Sequence, residues 1–158
     1  LGSRNGMHIY SIKTPAKPDF IYRYEHVVSC DPVVVQGKYA YVTMRTDPDN
    51  WSCNRGVNEL EVIDLSNILQ PQSKGVYSML NPRGLSIDGN LLFVCDGVSL
   101  IVFDSSNPLA LTRKKQIDLD ATPYDVIAKN GVLVLSYANG FKQYSYSNDT
   151  IQELSTLY

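Results

Sequence analysis

The stretch Leu100-Ile101-Val102-Phe103-Asp104-Ser105-Ser106-Asn107 recurs in altered form along the 158-residue chain. Its copies are Leu60-Glu61-Val62-Ile63-Asp64-Leu65-Ser66-Asn67, Phe141-Lys142-Gln143-Tyr144-Ser145-Tyr146-Ser147-Asn148 and the shorter Met7-His8-Ile9-Tyr10-Ser11-Ile12. Their starts lie 53, 40 and 41 residues apart. A fixed period of this size marks a repeat architecture, in which each unit buries its apolar face only against a neighbour. A second set lies upstream of the last three copies: Tyr39-Ala40-Tyr41-Val42-Thr43, Leu91-Leu92-Phe93-Val94-Cys95 and Val132-Leu133-Val134-Leu135-Ser136, each within two residues of a glycine. A third set begins at a proline, at Asp31-Pro32, Asn81-Pro82-Arg83-Gly84 and Thr122-Pro123-Tyr124-Asp125. The unit is about 41 residues long, and some 12 extra residues around Arg45 to Val57 account for the wider first interval.

Each unit holds four apolar runs of four to seven residues separated by Gly, Asn, Pro or Asp. Such runs are too short and too β-branched for helices and fit a four-stranded antiparallel meander. In the third unit the pattern predicts strands a to d over Leu85 to Asp88, Leu91 to Cys95, Leu100 to Asp104 and Lys115 to Leu119. A lone sheet of this kind cannot cover both faces, so copies stack, and a four-stranded repeat of 40 to 50 residues is the pattern of a β-propeller blade. A sandwich of hairpins is the alternative. The predicted fold class is therefore all-β, a propeller of four-stranded antiparallel blades with about 3.5 blades in this chain. The expected organisation is a half blade over 1–26, with Leu1 to Gly6 as lead-in to a c strand and no a or b strand, then a blade over 27–80 with an inserted b–c loop at 45–57. Blades over 81–121 and 122–158 complete it. Propellers close with roughly four to eight blades. The chain is thus expected to form part of a larger ring, with the remaining blades supplied by further sequence or by another chain.

The phrases Leu60 to Asn67 and Leu100 to Asp104, each following a Gly-led strand with Tyr or Phe before Val, resemble LVIVD repeats, a family of β-propellers in bacterial and archaeal surface or secreted proteins. The stretch Thr43 to Asp64, with Cys53 and Asn58-Glu59-Leu60, is similar to the long b–c segment of Bacteroidetes members. Ser11 and Ser145 replace the motif Asp in the outer copies. The resemblance implies the fold and a bacterial cell-envelope or extracellular location. It brings no general activity.

Composition narrows the function classes. Fourteen Lys and Arg against 16 Asp and Glu give a net charge of −2, without a basic stripe interleaved with aromatics, which disfavours nucleic acid. The 44% apolar content comes in short runs, none near the roughly 18 residues of a membrane-spanning helix. No nucleophile elbow, phosphate loop or dinucleotide fingerprint occurs. Zinc lacks any Cys-x-x-Cys or His-Glu-x-x-His pair, and His8 and His26 read as strand-face residues. Asp47, Asp49 and Asn50 offer three oxygens in four residues, but the calcium loop's glycine and its twelfth-position Glu are missing. No cofactor, metal or catalytic residue is assigned. Of the three cysteines, Cys95 reads as a small buried strand residue, while a disulfide between Cys30 and Cys53 is left open. Sequons at Asn50-Trp51-Ser52 and Asn148-Asp149-Thr150 matter only in a eukaryotic secretory route.

Blade topology locates a candidate site. In an up-and-down meander the d-to-a and b-to-c connections emerge on the same side, so Asp31, Arg83, Tyr124 and Asp125 are expected at one mouth of the channel. The insertion adds Arg45, Trp51 and Arg55 there. Arg83 can clamp a carboxylate or phosphate, or pair structurally with Asp31 or Asp125. Asp64 and Asp104, repeated at one blade position, read as turn residues that accept backbone N–H bonds. The expected function is a non-enzymatic binding or scaffold module that presents a propeller face to a protein or glycan partner. The alternative is an extracellular hydrolase acting on a polymer, which needs two carboxyls roughly 5 to 10 Å apart at the mouth with no cation between them.

Overall fold

The computed structural model describes residues 1–3, 6–25, 32–46, 56–147 and 150–158. Among these residues all regular structure is β. Gly2–Ser3 (β1), Gly6–Ser11 (β2) and Asp19–Tyr24 (β3) form a three-stranded sheet; Val33–Gln36 (β4), Tyr39–Met44 (β5), Glu59–Asp64 (β6) and Gln72–Ser78 (β7) form the second. Pro82–Asp88 (β8), Leu91–Asp96 (β9), Ser99–Asp104 (β10) and Thr112–Asp118 (β11) form the third. The fourth consists of Asp125–Lys129 (β12), Val132–Tyr137 (β13), Gly140–Ser147 (β14) and Thr150–Leu157 (β15). In every sheet the strands lie side by side in chain order with antiparallel neighbours, the meander of a propeller blade. The chain divides into two compact units, Leu1–Ser78 and Met79–Tyr158, each holding two of these sheets.

Three expectations are corrected. The lead-in to the first blade is itself paired, Gly2 opposite Met7 and Ser3 opposite Gly6, which gives that blade a two-residue b strand. In the third blade strand a starts at Pro82, not Leu85, because the register shifts between these residues: Pro82 faces Asp96 and Leu85 faces Val94, so Arg83 and Gly84 bulge opposite Cys95. Strand d starts at Thr112 and ends at Asp118, because the backbone ladder extends through polar residues that carry no apolar alternation.

Each unit has its own core. In the first, Met7 of β2 packs with Ala40, Val42 and Met44 of β5 and Ile63 of β6, flanked by Ile9, Tyr24 and Val33. In the second, Phe93, Cys95, Leu100 and Val102 of the third blade meet Val126, Ala128, Leu133, Leu135 and Tyr144 of the fourth. Alternation explains this division, since residues two apart share a face of a strand. Fully burying each large aliphatic or aromatic side chain contributes roughly 1.5–3 kcal/mol. A few polar contacts add direction: the Tyr146 hydroxyl donates to Asp88 across the blade pair, the Ala128 N–H donates to Ser86 Oγ at 2.9 Å, and the Phe93 and Tyr146 rings meet edge-on at 4.9 Å. In the first unit the Tyr24 hydroxyl donates to the buried Glu61 carboxylate at 3.1 Å.

The motif aspartates close the c–d turns. Asp64 Oδ1 accepts the Ser66 N–H at 2.8 Å and its hydroxyl at 2.5 Å, and Asp104 Oδ1 accepts the Ser106 N–H at 2.9 Å. Hydrogen bonds from the side chains, and then the backbones, of Ser66 and Ser106 hold the two carboxyls below the usual carboxylate range. Asn67 and Asn107 repeat the device on the N–H groups of Leu69 and Leu109. Ser11 keeps a long form of it, accepting the Lys13 N–H at 3.4 Å. Ser145 does not, because β14 continues through it to Ser147 and pairs there with Thr150.

Candidate functional site

The entries of the two a strands in the second unit converge. Arg83 and Tyr124 occupy equivalent places in consecutive repeats, and the Arg83 guanidinium carbon lies 5.1 Å from the centre of the Tyr124 ring. The Gly84 N–H donates to the Tyr124 carbonyl at 3.1 Å, and the Tyr124 N–H donates to the Ser136 carbonyl at 2.8 Å. Asp125 lies against Gly84 so closely that a Cβ at Gly84 would fall 2.0 Å from Asp125 Oδ1 and 2.4 Å from its Cα. The Asp125 Oδ1 also accepts the N–H of Val126 at 2.9 Å. Tyr124 stays 47% exposed, so its ring keeps an open face while Arg83 is half-buried beside it.

Behind this corner stands Cys95, free and fully buried. Burial pushes its thiol far up, the charge of Asp125 adds to this, and Arg83 opposes it, so the group is a neutral core side chain rather than a nucleophile. The turn that supports the corner is fixed by Asp96, a residue that the sequence pattern does not single out. Its carboxylate accepts the N–H groups of Leu80, at 2.9 and 3.1 Å, and Asn81, at 2.7 Å, and the Gly97 N–H donates to the Asn81 carbonyl. The d-to-a entry and the b-to-c turn of the third blade therefore lie together, as the meander requires.

The expected site residues divide as follows. Arg83, Tyr124 and Asp125 come together in the second unit. Arg45 stands in the first unit at the neck of the insertion. There Thr46 donates its N–H to Asn58 Oδ1 at 2.9 Å, and its hydroxyl both donates to the Val57 carbonyl at 3.3 Å and accepts the Gly56 N–H at 2.8 Å. Asp31, Trp51 and Arg55 lie outside the described residues, as do His26, Cys30, Cys53, Asp47, Asp49, Asn50, Asn148 and Asp149.

Sequence reading missed a second polar cluster in the fourth blade. Lys142 Nζ pairs with Asp120 Oδ2 at 2.8 Å and Glu153 Oε2 at 3.4 Å. The hydrogen bond to Asp120 is the main cause that raises the Lys142 ammonium above the ordinary lysine value and lowers the Asp120 carboxyl. Both line a cleft of about 170 Å³ with Tyr137, Phe141 and Leu157. That is below the roughly 300–1,000 Å³ of a small-molecule pocket and suits one inserted side chain.

Among the described residues no group of three or more His, Cys, Asp or Glu side chains is placed to hold a metal ion, and no helix is long and apolar enough to cross a membrane. The carboxylates near the corner are engaged: Asp96 by backbone N–H groups, Asp125 beside the Arg83-Gly84 bulge, Asp120 by Lys142.

Antiparallel four-stranded meander blades packed through their faces define a β-propeller repeat protein. The LVIVD repeat family model matches residues 29–47 and 81–118, within the second and third blades, so these segments are similar to LVIVD repeats. A search of the curated proteins returns no match. Among solved structures, the chain is similar to a functionally unknown protein from Desulfotomaculum acetoxidans, with TM-score 0.75 and 13% identity over 96% of this chain and 48% of that one. It is also similar to a structure of S. cerevisiae Dbp5 bound to Nup159, Gle1, IP6 and ADP, with TM-score 0.55 and 17% identity over 92% of this chain and 34% of that one. A third is AztD from Citrobacter koseri, with TM-score 0.53 and 15% identity over 80% and 34%. The chain spans about half, or less, of the length of these structures.

Proposed function

We propose that the chain is a non-enzymatic binding module of the bacterial cell envelope that presents the a-strand entries of its blades to a protein or glycan partner. The observation that carries this reading is the Arg83–Tyr124–Asp125 corner, a guanidinium beside a half-exposed phenol ring on two hydrogen-bonded strand entries. Arg and Tyr are enriched among residues that dominate interface energetics, and side chains already fixed by their backbone lose little entropy on binding. The small cleft beside Lys142 favours an inserted side chain over a free metabolite. The structure of Dbp5 bound to Nup159, similar in fold, is a protein–protein complex. The envelope location rests on the LVIVD resemblance alone. Blades beyond those in this sequence, from the same protein or from another chain, complete the ring in this reading.

The hydrolase alternative draws no support from the corner, where Asp125 lies against the Arg83-Gly84 bulge and the Asp96 carboxylate is taken up by the N–H groups of Leu80 and Asn81. The test places a photo-crosslinking residue at Tyr124, and as a control at exposed Lys129, and exposes both chains to an envelope fraction of the producing bacterium. A product specific to position 124 and lost on Arg83→Ala supports the reading. Equal products at both positions, or one indifferent to Arg83→Ala, reject this corner as the site, and recovery of the native protein in the cytosolic fraction rejects the location.

A further inference from the structure

Among the described residues the four outermost strands, β3, β7, β11 and β15, each pair with another strand on one side only, so each presents a sheet edge along the rim of its blade. All four have the same irregularity. The register shifts once near the middle of the strand and leaves one residue outside the ladder: Ile21 in β3, Lys74 in β7, Lys114 in β11 and Leu154 in β15. Bulges and lysines are the standard means of preventing an edge from recruiting another strand. β7 has both, and β11 adds Arg113 and Lys115 to its bulged Lys114. β3 carries Arg23, which pairs with Glu25.

β15 has the bulge but not the cation. Its eight residues, Thr150-Ile151-Gln152-Glu153-Leu154-Ser155-Thr156-Leu157, contain no cation, proline or glycine, and its bulged position is a leucine 55% exposed, matched by Leu157 at 55%. The one charge, Glu153, is neutralised inside the blade by Lys142 and accepts the Thr156 hydroxyl at 2.8 Å. An edge with these properties selects no oppositely charged partner, but it complements itself. In an antiparallel pair of two such strands centred on Leu154, Glu153 faces Ser155 and Gln152 faces Thr156, so no carboxylate opposes another. A register centred on Glu153 would set two carboxylates opposite and is disfavoured.

We propose that β15 is a strand-addition site for β15 of a second copy of this chain, joining two fourth-blade sheets into one eight-stranded sheet across a two-fold axis. The contact is isologous and closes at two copies. It is independent of the Arg83 corner, and it uses a rim that ring completion leaves open.

The test is the molar mass of the 158-residue chain by light scattering over a concentration series, with amide exchange read at residues 150–157. The mass is expected to rise from 17.7 kDa towards twice that value, and the β15 amides to slow in step. Leu154→Lys, which installs at the bulge the residue that β7 and β11 carry, is expected to keep the circular dichroism spectrum and remain at the single-chain mass. Ile127→Lys, on the exposed face of β12, is expected to associate like the parent chain. A parent chain that is monomeric at every concentration overturns the proposal. So does association that survives Leu154→Lys, or association abolished by Ile127→Lys alone, which would place the contact on the sheet face.

Discussion

Replacing Gly84 by Ala isolates the energetic cost of packing two a-strand entries against each other. The added Cβ would lie 2.4 Å from the Asp125 Cα and 2.7 Å from its Cγ, where ordinary contact begins near 3.4 Å. The backbone of β12 must therefore retreat by roughly 1 Å, a displacement that well-packed interiors resist at about 1–3 kcal/mol. That retreat also strains the Gly84 N–H to Tyr124 bond, worth about 1 kcal/mol when intact. The lower entropy of the unfolded alanine chain returns about 0.4–1 kcal/mol. The expected net loss is about 1–3 kcal/mol, read as a lower urea midpoint at unchanged slope. Gly89→Ala serves as the contrast: its φ is +57° and nothing lies within 4 Å of its Cβ position, so its effect is purely conformational, about 1–2 kcal/mol. Asp125→Ala removes the carboxylate but leaves the backbone of residue 125 in the way, so it rescues Gly84→Ala only in part and leaves Gly89→Ala unaltered. A Gly84→Ala chain as stable as the parent, or full rescue by Asp125→Ala, would refute the backbone clash as the cause.

Two further outcomes follow from the hydrogen-bonded side chains. Burial and its bond to Asp88 push the Tyr146 phenol up to about 12, above an unfolded value near 10, so its contribution to stability is present below pH 10 and lost between pH 10 and about 12. The same bond lowers Asp88, whose contribution is present above the ordinary carboxylate range and lost as pH falls through its folded value. Tyr146→Phe should therefore flatten both the alkaline and the acid limb of a melting-temperature profile; unchanged limbs would exclude the pair as their source. At the c–d turn, Asp104→Ala should lower the melting temperature while Asp104→Asn, which retains an acceptor oxygen for the Ser106 N–H, should remain nearer the parent, and equal losses would show that charge rather than turn geometry matters.

The b and c strands were legible in the sequence because they are buried and nearly continuous apolar runs bounded by glycine or aspartate, as in Leu91 to Asp96 and Ser99 to Asp104. The rim strands were only partly legible, since β11 is exposed along nearly its whole length and shows neither alternation nor an apolar run. The first-blade b strand is two residues of small side chains, too short to carry a period. At the site, the convergence of Arg83 and Tyr124 could be anticipated because equivalent positions in stacked repeats become neighbours. The Lys142 cluster could not, because it joins a c strand to the d-to-a link and to a d strand, a combination that occurs in one blade and has no repeated signal. The turn role of Asp64 and Asp104 was legible for the opposite reason: repetition separates a structural requirement from a catalytic one.

Among the described residues every backbone ladder runs within a blade, whereas the third and fourth blades are joined mainly by side-chain packing and a few isolated hydrogen bonds. Energetically this makes the two sheets of a unit coupled links, so that a nearest-neighbour description applies within it. Damage to the Phe93–Tyr144 core should loosen the third and fourth blades together, whereas damage to the Asp64 turn should remain local to the second. Opening under native conditions, followed by amide exchange, should accordingly proceed in steps the size of a blade or a blade pair rather than residue by residue.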